Sequence, residues 1–168
     1  MNKTFSFKEG NPESLDLDPP ESVNLFIDDD VKDVNSSWLL NNIQKVLDEL
    51  NLKQPIISIR VVTDVTMSNM HFAYMQIEGT TDVLTFNNSV NNKELSVDIA
   101  ICVDVARRQI AKRSHSLNHE LLLYVVHGIL HCIGFNDSSN AEYKRMHKEE
   151  DRILTAIGVG SVWSDSLC

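Results

Sequence analysis

Three features of the chain predict a single α+β domain, a mixed β-sheet packed against helices with one central apolar helix. β-Branched runs precede and alternate with stretches of helical period, the pattern of a sheet and helices sharing one core. A length of 168 residues with 42% hydrophobic content suffices for one such core and is short for two. Segment 117–133 is apolar nearly all round, through Leu117, Leu121, Leu122, Leu123, Val125, Val126, Ile129, Leu130 and Ile133. A helix without a polar face belongs at the centre of a fold. The domain is expected over residues 1–157, with "GVGSVWSDSLC" at 158–168 as a C-terminal tail.

In chain order, Thr4 to Phe7 reads as a short strand, followed by the turn-rich "EGNPESLDLDPPES" and a second strand, "VNLFI". "WLLNNIQKVLDELN" sets Trp38, Leu39, Ile43, Val46, Leu47 and Leu50 at helical spacing, with Ser36 or Ser37 as N-cap. "PIISIRVVT" at 55–63 is β-branched and reads as a buried strand, and 64–76 as a helix. "DVLTF" at 82–86 and "LSVDIAICV" at 95–103 are strands joined by a turn-rich link. Helices then cover 104–113, 117–133 and 139–157. Gly134 is placed to end the second of these in a left-handed cap, and Ser139 with Glu142 forms a capping box for the third.

Composition excludes several classes. Against 15 Lys and Arg stand 24 Asp and Glu, a net charge of -9, so any attraction for a polyanion must be local. Cys102, Cys132 and Cys168 are an odd number without C-x-x-C spacing, which points away from a disulfide framework and toward a reducing compartment. The N-terminus lacks an apolar leader and no run is long enough to span a membrane, so a soluble cytoplasmic protein is expected.

His127 and His131 carry the chemistry. Residues at i and i+4 of a helix bring their Cβ atoms to about 5–6 Å, which suits two imidazoles at about 2.0–2.1 Å from one zinc ion. Both sit among leucines, where ring nitrogens need partners. Gly128 occupies the position where an H-E-x-x-H protease has its glutamate base, so that chemistry loses its base. Cys132, His115, His119, His147 and Asp137 are the candidates for a third ligand. Cys132 points about 100° away from His131, and His119 is two turns off along the axis. Asp137, just past the glycine, is the best placed. Two histidines and one carboxylate leave a position open for water, a hydrolytic rather than a closed structural arrangement.

With "HGILHCIGF" at 127–135 and Asp137 ten positions after His127, the chain resembles the YbeY family of bacterial zinc-dependent endoribonucleases implicated in ribosomal RNA maturation. That family has H-G-x-L-H-x-x-G followed by Tyr or Phe, then a third histidine where Asp137 stands. Its T-D/N-V-L-S-F appears as "TDVLTF" at 81–86, its G-D-I/L-x-I-C/S as "VDIAIC" at 97–102, and its closing E-E-x-x-L as "EEDRIL". The resemblance covers roughly residues 55–155. It implies a zinc ion on His127, His131 and Asp137, single-stranded RNA as substrate, and the small ribosomal subunit or its factors as partners, with neither DNA nor membrane.

Two departures are visible. Asp137 replaces a histidine, which changes the charge and hardness of the site and makes manganese a further candidate. Met75 stands where the family usually has an arginine, with Arg60 as a conceivable substitute. "ARRQIAKRSH" offers Arg107, Arg108, Lys112 and Arg113 as a phosphate track, Arg108 and Lys112 sharing a helix face if the helix runs to 113. Asp98 and Asn118 are read as polar supports of the site, and Glu149, Glu150 and His147 as a solvated helix face. Two other functions compete: a noncatalytic ribosome-assembly factor with a structural metal, and a small metal-dependent peptidase or amidohydrolase.

Overall fold

The structure, a computed structural model, describes residues 22–90 and 94–163. The expected strand at 4–7, the turn-rich stretch up to residue 21 and the last five residues lie outside them. Among the described residues nine elements follow in order: β1 Val23–Ile27, α1 Ser36–Glu49, β2 Ile56–Val62, α2 Asp64–Met75, β3 Val83–Asn87, β4 Ser96–Cys102, α3 Val103–Ile110, α4 Leu117–Cys132 and α5 Asn140–Ala156. The fold is α+β, as the alternation of patterns predicts.

The sheet order is β1-β2-β4-β3, with β1, β2 and β4 parallel and β3 antiparallel along the β4 edge. Strand side chains alternate between faces. Ile57, Ile59 and Val61 of β2 and Val97, Ile99 and Ile101 of β4 therefore join α1, α4 and α5 in the main core. Val62, Ala100, Cys102 and Leu84 point the other way and are covered by Met67 of α2.

Helix α4 lies at the centre, touching α1, α3, α5, β3 and β4. Leu121, Leu122, Ile129 and Leu130 are fully buried, and each contributes on the order of 1.5–3 kcal/mol as an upper bound. A core of this kind holds α4 in place without help from an ion. Gly128 lets the helix approach the sheet: a Cβ there would lie 2.8 Å from Thr85 Oγ1 and 3.4 Å from Ile99 Cδ1. The same closeness accounts for the missing glutamate, because this face of α4 has no room for one.

Three boundaries differ from expectation. The N-cap of α1 is Asn35 rather than Ser36 or Ser37; its Oδ1 accepts from Trp38 N at 3.0 Å, and Asn118 Oδ1 holds its own N–H. Helix α3 ends at Ile110, not 113, its last turn tightening through bonds from Lys112 N to Gln109 O and Arg113 N to Ile110 O. Residues 158–163 carry no helix, yet Val162 is buried against the core and its neighbour Trp163 packs there as well. Among the described residues no helix is long and apolar enough to cross a membrane.

Candidate metal centre

The end of α4 builds the site. Gly134 adopts φ +105°, a left-handed conformation, and the chain closes with Gly134 N bonded to His131 O and Phe135 N to Leu130 O. This double closure is the Schellman motif. It turns the chain back on itself, so that Asp137 returns to the face carrying His127 and His131. Asp137 Oδ2 lies 3.7 Å from His127 Nε2 and 3.6 Å from His131 Nε2, and the two nitrogens are 2.9 Å apart. These three side chains are the one group of histidine, cysteine or carboxylate ligands among the described residues spaced to hold a metal ion.

The fit can be tested on these atoms. A point equidistant from all three lies about 2.0 Å from each, the length of a zinc–nitrogen or zinc–carboxylate bond. The other ring nitrogens are already engaged. His127 Nδ1 donates to Glu150 Oε1 at 2.7 Å and His131 Nδ1 to the Phe135 carbonyl at 3.1 Å. Protons on Nδ1 leave both Nε2 atoms as lone-pair acceptors, facing each other and a carboxylate. Three acceptors at this separation repel unless a proton or a cation joins them, so the donor set matches a divalent ion. Carboxylate and carbonyl partners behind ligating imidazoles are the usual means of fixing ring orientation.

Glu150 is the residue that sequence reasoning missed. It is fully buried, not solvated, and accepts from three donors: His127 Nδ1, His147 Nδ1 at 2.7 Å and Trp163 Nε1 at 2.6 Å. Burial works to raise its pKa, but the bonds from His127 and His147 win and hold the carboxyl below its ordinary value. Reciprocally, burial works to lower His127 while the Glu150 bond and charge, with Asp82 and Asp137 nearby, hold the imidazole above its ordinary value. One signal was available: Glu150 falls on the buried stripe of α5 with Met146 and Ile153. A lone acid on an apolar stripe needs a partner. His147 likewise leaves the surface, stacked on Trp163 at 3.7 Å.

Other candidates lie elsewhere. His115 and Arg113 bind Glu120, and His119 packs on Trp38 at 5.1 Å. Asp98 accepts from Asn88 Nδ2 at 2.7 Å on the sheet, and Asn118 serves the N-cap of α1, so neither supports the three candidate ligands. Cys132 is partly buried against the main core. Arg60 is tied to Asp28 by two bonds of 2.7 and 3.1 Å.

The basic segment is not a continuous free face. Arg108 forks onto Asp64 at 2.6 and 2.9 Å; Arg107 binds Asp104 and the Lys32 carbonyl; Arg113 reaches Glu120 and lies over the Trp163 ring. Because α3 ends at Ile110, Lys112 lies beyond the helix that carries Arg108.

Beside the ligands opens a cavity of about 290 Å³ whose lining includes Asp82, Arg113, Tyr124, His127, Asp137 and His147. Asp82 comes from the "TDVLTF" segment, which thus borders the cleft.

The family profile described as "Endoribonuclease YbeY" matches residues 25–158. Proteins named endoribonuclease YbeY from Frankia casuarinae and Frankia alni are each 34% identical over 112 residues, 60% of this chain. The match spans 56% and 62% of those proteins' own lengths. A third, from Corynebacterium efficiens, is 27% identical over 79% of the chain and 73% of its own length. A Thermotoga maritima protein solved in solution shares the fold with a TM-score of 0.53 at 19% identity, covering 80% of this chain and 90% of that one. With the profile extending over most of its length, the chain belongs to the YbeY family.

Proposed function

We propose that this protein is a metal-dependent endoribonuclease that cleaves single-stranded RNA in ribosomal RNA maturation or ribosome quality control. The observation that carries the reading is the convergence of His127 Nε2, His131 Nε2 and Asp137 Oδ2 as three acceptors, with both Nδ1 atoms already bonded behind them. Zinc suits the distances; manganese is the alternative that the Asp137 carboxylate favours. When bound with three protein ligands, such an ion supplies an activated water and a Lewis acid at phosphorus. The chain's own residues do the rest. Glu150 holds His127 in one tautomer, the Phe135 carbonyl does the same for His131, and the Gly134 turn sets Asp137.

Ribosomal RNA and the small subunit as partners, and the cytoplasm as compartment, follow from the family reading. RNA contact by Arg107, Arg108, Lys112 and Arg113 belongs to the same proposal. The carboxylate pairing of the three arginines reduces the contacts available, at a salt slope of about 0.7 per phosphate on a single strand. A noncatalytic assembly factor is favoured by one feature, the exposed Met75 at the end of α2 in place of an arginine. The peptidase alternative is disfavoured by the crowded Gly128.

The decisive experiment incubates zinc-loaded protein with a single-stranded RNA, with and without chelator, and resolves the products on a denaturing gel. Internal cleavage that stops with chelator and returns with zinc is expected, while circular dichroism shows the fold intact. No cleavage by fully loaded protein would favour the noncatalytic factor, and cleavage that survives metal removal would overturn the metal mechanism.

A further inference from the structure

Helix α5 carries a charged surface that its own sequence hides. Along the chain, Glu142, Glu149, Glu150 and Asp151 stand against Lys144, Arg145, Lys148 and Arg152, and the segment looks neutral. The fold takes the acids away. Glu142 accepts from Ser139 N at the helix start, Glu149 accepts from Arg152, Glu150 is buried behind His127, and Asp151 accepts from the Val162 and Trp163 N–H groups. Of the cations, Arg152 is paired with Glu149 and Glu49. Lys144, Arg145 and Lys148 are exposed and have no carboxylate partner among the described residues. In a chain of net charge -9 this is where a local positive potential arises. The α3 segment is the reverse, with Arg107, Arg108 and Arg113 each on a carboxylate.

A groove runs along this surface. Arg145, Lys148 and Arg152 recur at i, i+3 and i+7, share one face of α5, and with Phe135 and Glu149 line a cavity of about 300 Å³. The one carboxylate in that lining is already taken up by Arg152. Arg145 lies over the Phe135 ring, 5.1 Å from its centroid, a contact that orients the guanidinium without using its N–H donors. Phe135 also ties the groove to the candidate metal centre: its carbonyl accepts from His131 Nδ1, and it stands two residues before Asp137. Unopposed cations along a groove, with an aromatic ring in its lining, are the means by which a protein follows a single nucleic-acid strand through its backbone. Because the groove adjoins the candidate ligands, its occupant is the strand presented to them.

We propose that the exposed face of α5, with Lys144, Arg145 and Lys148 as phosphate contacts and Phe135 at the inner end of the groove, holds single-stranded RNA beside the candidate metal centre. It rests on the nuclease reading for the identity of the polyanion. It makes α5, rather than the paired arginines of the α3 segment, the main cationic contact.

The test is fluorescence anisotropy of zinc-loaded protein with a labelled single-stranded 2′-O-methyl RNA, its integrity checked on a gel, across a series of salt concentrations. Changing Lys144, Arg145 and Lys148 together to Gln should reduce the magnitude of the slope of log affinity against log salt by roughly two, at about 0.7 per phosphate contact on a single strand. Arg107→Gln with Arg108→Gln should move it by less than about 0.7. Lys144→Arg with Lys148→Arg should keep the wild-type slope, because charge and not side-chain shape carries the contact. An unchanged slope in the triple variant at full zinc content would overturn the proposal, as would a larger effect of the α3 pair. Competition by poly-L-glutamate as effective as that by RNA of equal charge would also overturn it, in favour of an acidic protein partner. The two readings fail separately. Where RNA is cleaved, the triple variant should raise KM more than it lowers kcat, the mark of a contact away from the reacting atoms. RNA bound through these residues but never cleaved would keep the surface and discard the nuclease, whereas cleavage with wild-type KM and salt slope in the triple variant would do the opposite.

Discussion

Two histidine–carboxylate clusters lie along α4, seven residues apart, and they are chemically opposite. In the upper one Glu120 is surrounded by donors, Arg113 and His115, so its charge is met within the protein. In the lower one His127 Nε2, His131 Nε2 and Asp137 Oδ2 are all acceptors and nothing in the described protein stands between them. Residue types alone make the clusters look alike. Counting donors and acceptors separates an ion-pair network from a group that could hold a metal, and the count depends on what holds the far side of each ring: Glu150 and the Phe135 carbonyl in the lower cluster.

The contrast can be broken most severely at the ligands. His127→Ala with His131→Ala should abolish stoichiometric zinc by elemental analysis, and Asp137→Ala should lose most of it, whereas Asp137→His should retain it. Full occupancy in the double alanine variant, or wild-type affinity in Asp137→Ala, would remove the site from the end of α4.

Glu150→Gln tests the support behind the ring. An amide cannot accept from three donors as a carboxylate does, so zinc affinity should fall roughly 10- to 100-fold, the usual effect of removing such a partner. Competition with a chromophoric chelator would measure it, and unchanged affinity would make Glu150 a structural residue only.

In the upper cluster the opposite outcome is expected. Glu120→Gln should cost about 1–3 kcal/mol of stability in urea unfolding, because buried donors lose a charged acceptor, and should leave zinc content untouched. A loss of zinc there would show that the two clusters are one.

The smallest effect sharpens the comparison with a surface pair. The Arg108 fork, its main cause, pulls Asp64 down to about 2. A carboxyl depressed in the folded state adds stability above its unfolded pKa of about 3.9, lost as pH falls toward 2. With the Asp64 and Arg108 side chains 37% and 52% exposed, solvent screens the pair, and Asp64→Asn should change stability by well under about 1 kcal/mol at pH 7. It should also flatten the dependence between pH 4 and 2. A loss above that size would place the pair among the structural ones.

What was legible in the sequence was set by local rules. The His127 and His131 spacing, the Gly134 reversal, the Ser139 capping box and the β-branched strands each depend on residues within a few positions, where helix and turn geometry leave little freedom. The place of Asp137 followed for that reason. What tertiary structure decided was the company of each charge. Glu150 reads as solvated until α5 is laid against α4, and Trp163 reads as tail until it is found donating to Glu150. Arg108 and Arg113 read as free until Asp64 and Glu120 arrive from 44 and 7 residues away. Spacing along a helix is transmitted by a rigid backbone, but the partner of a charge is chosen by packing among distant segments, and no local pattern in the chain encodes that choice.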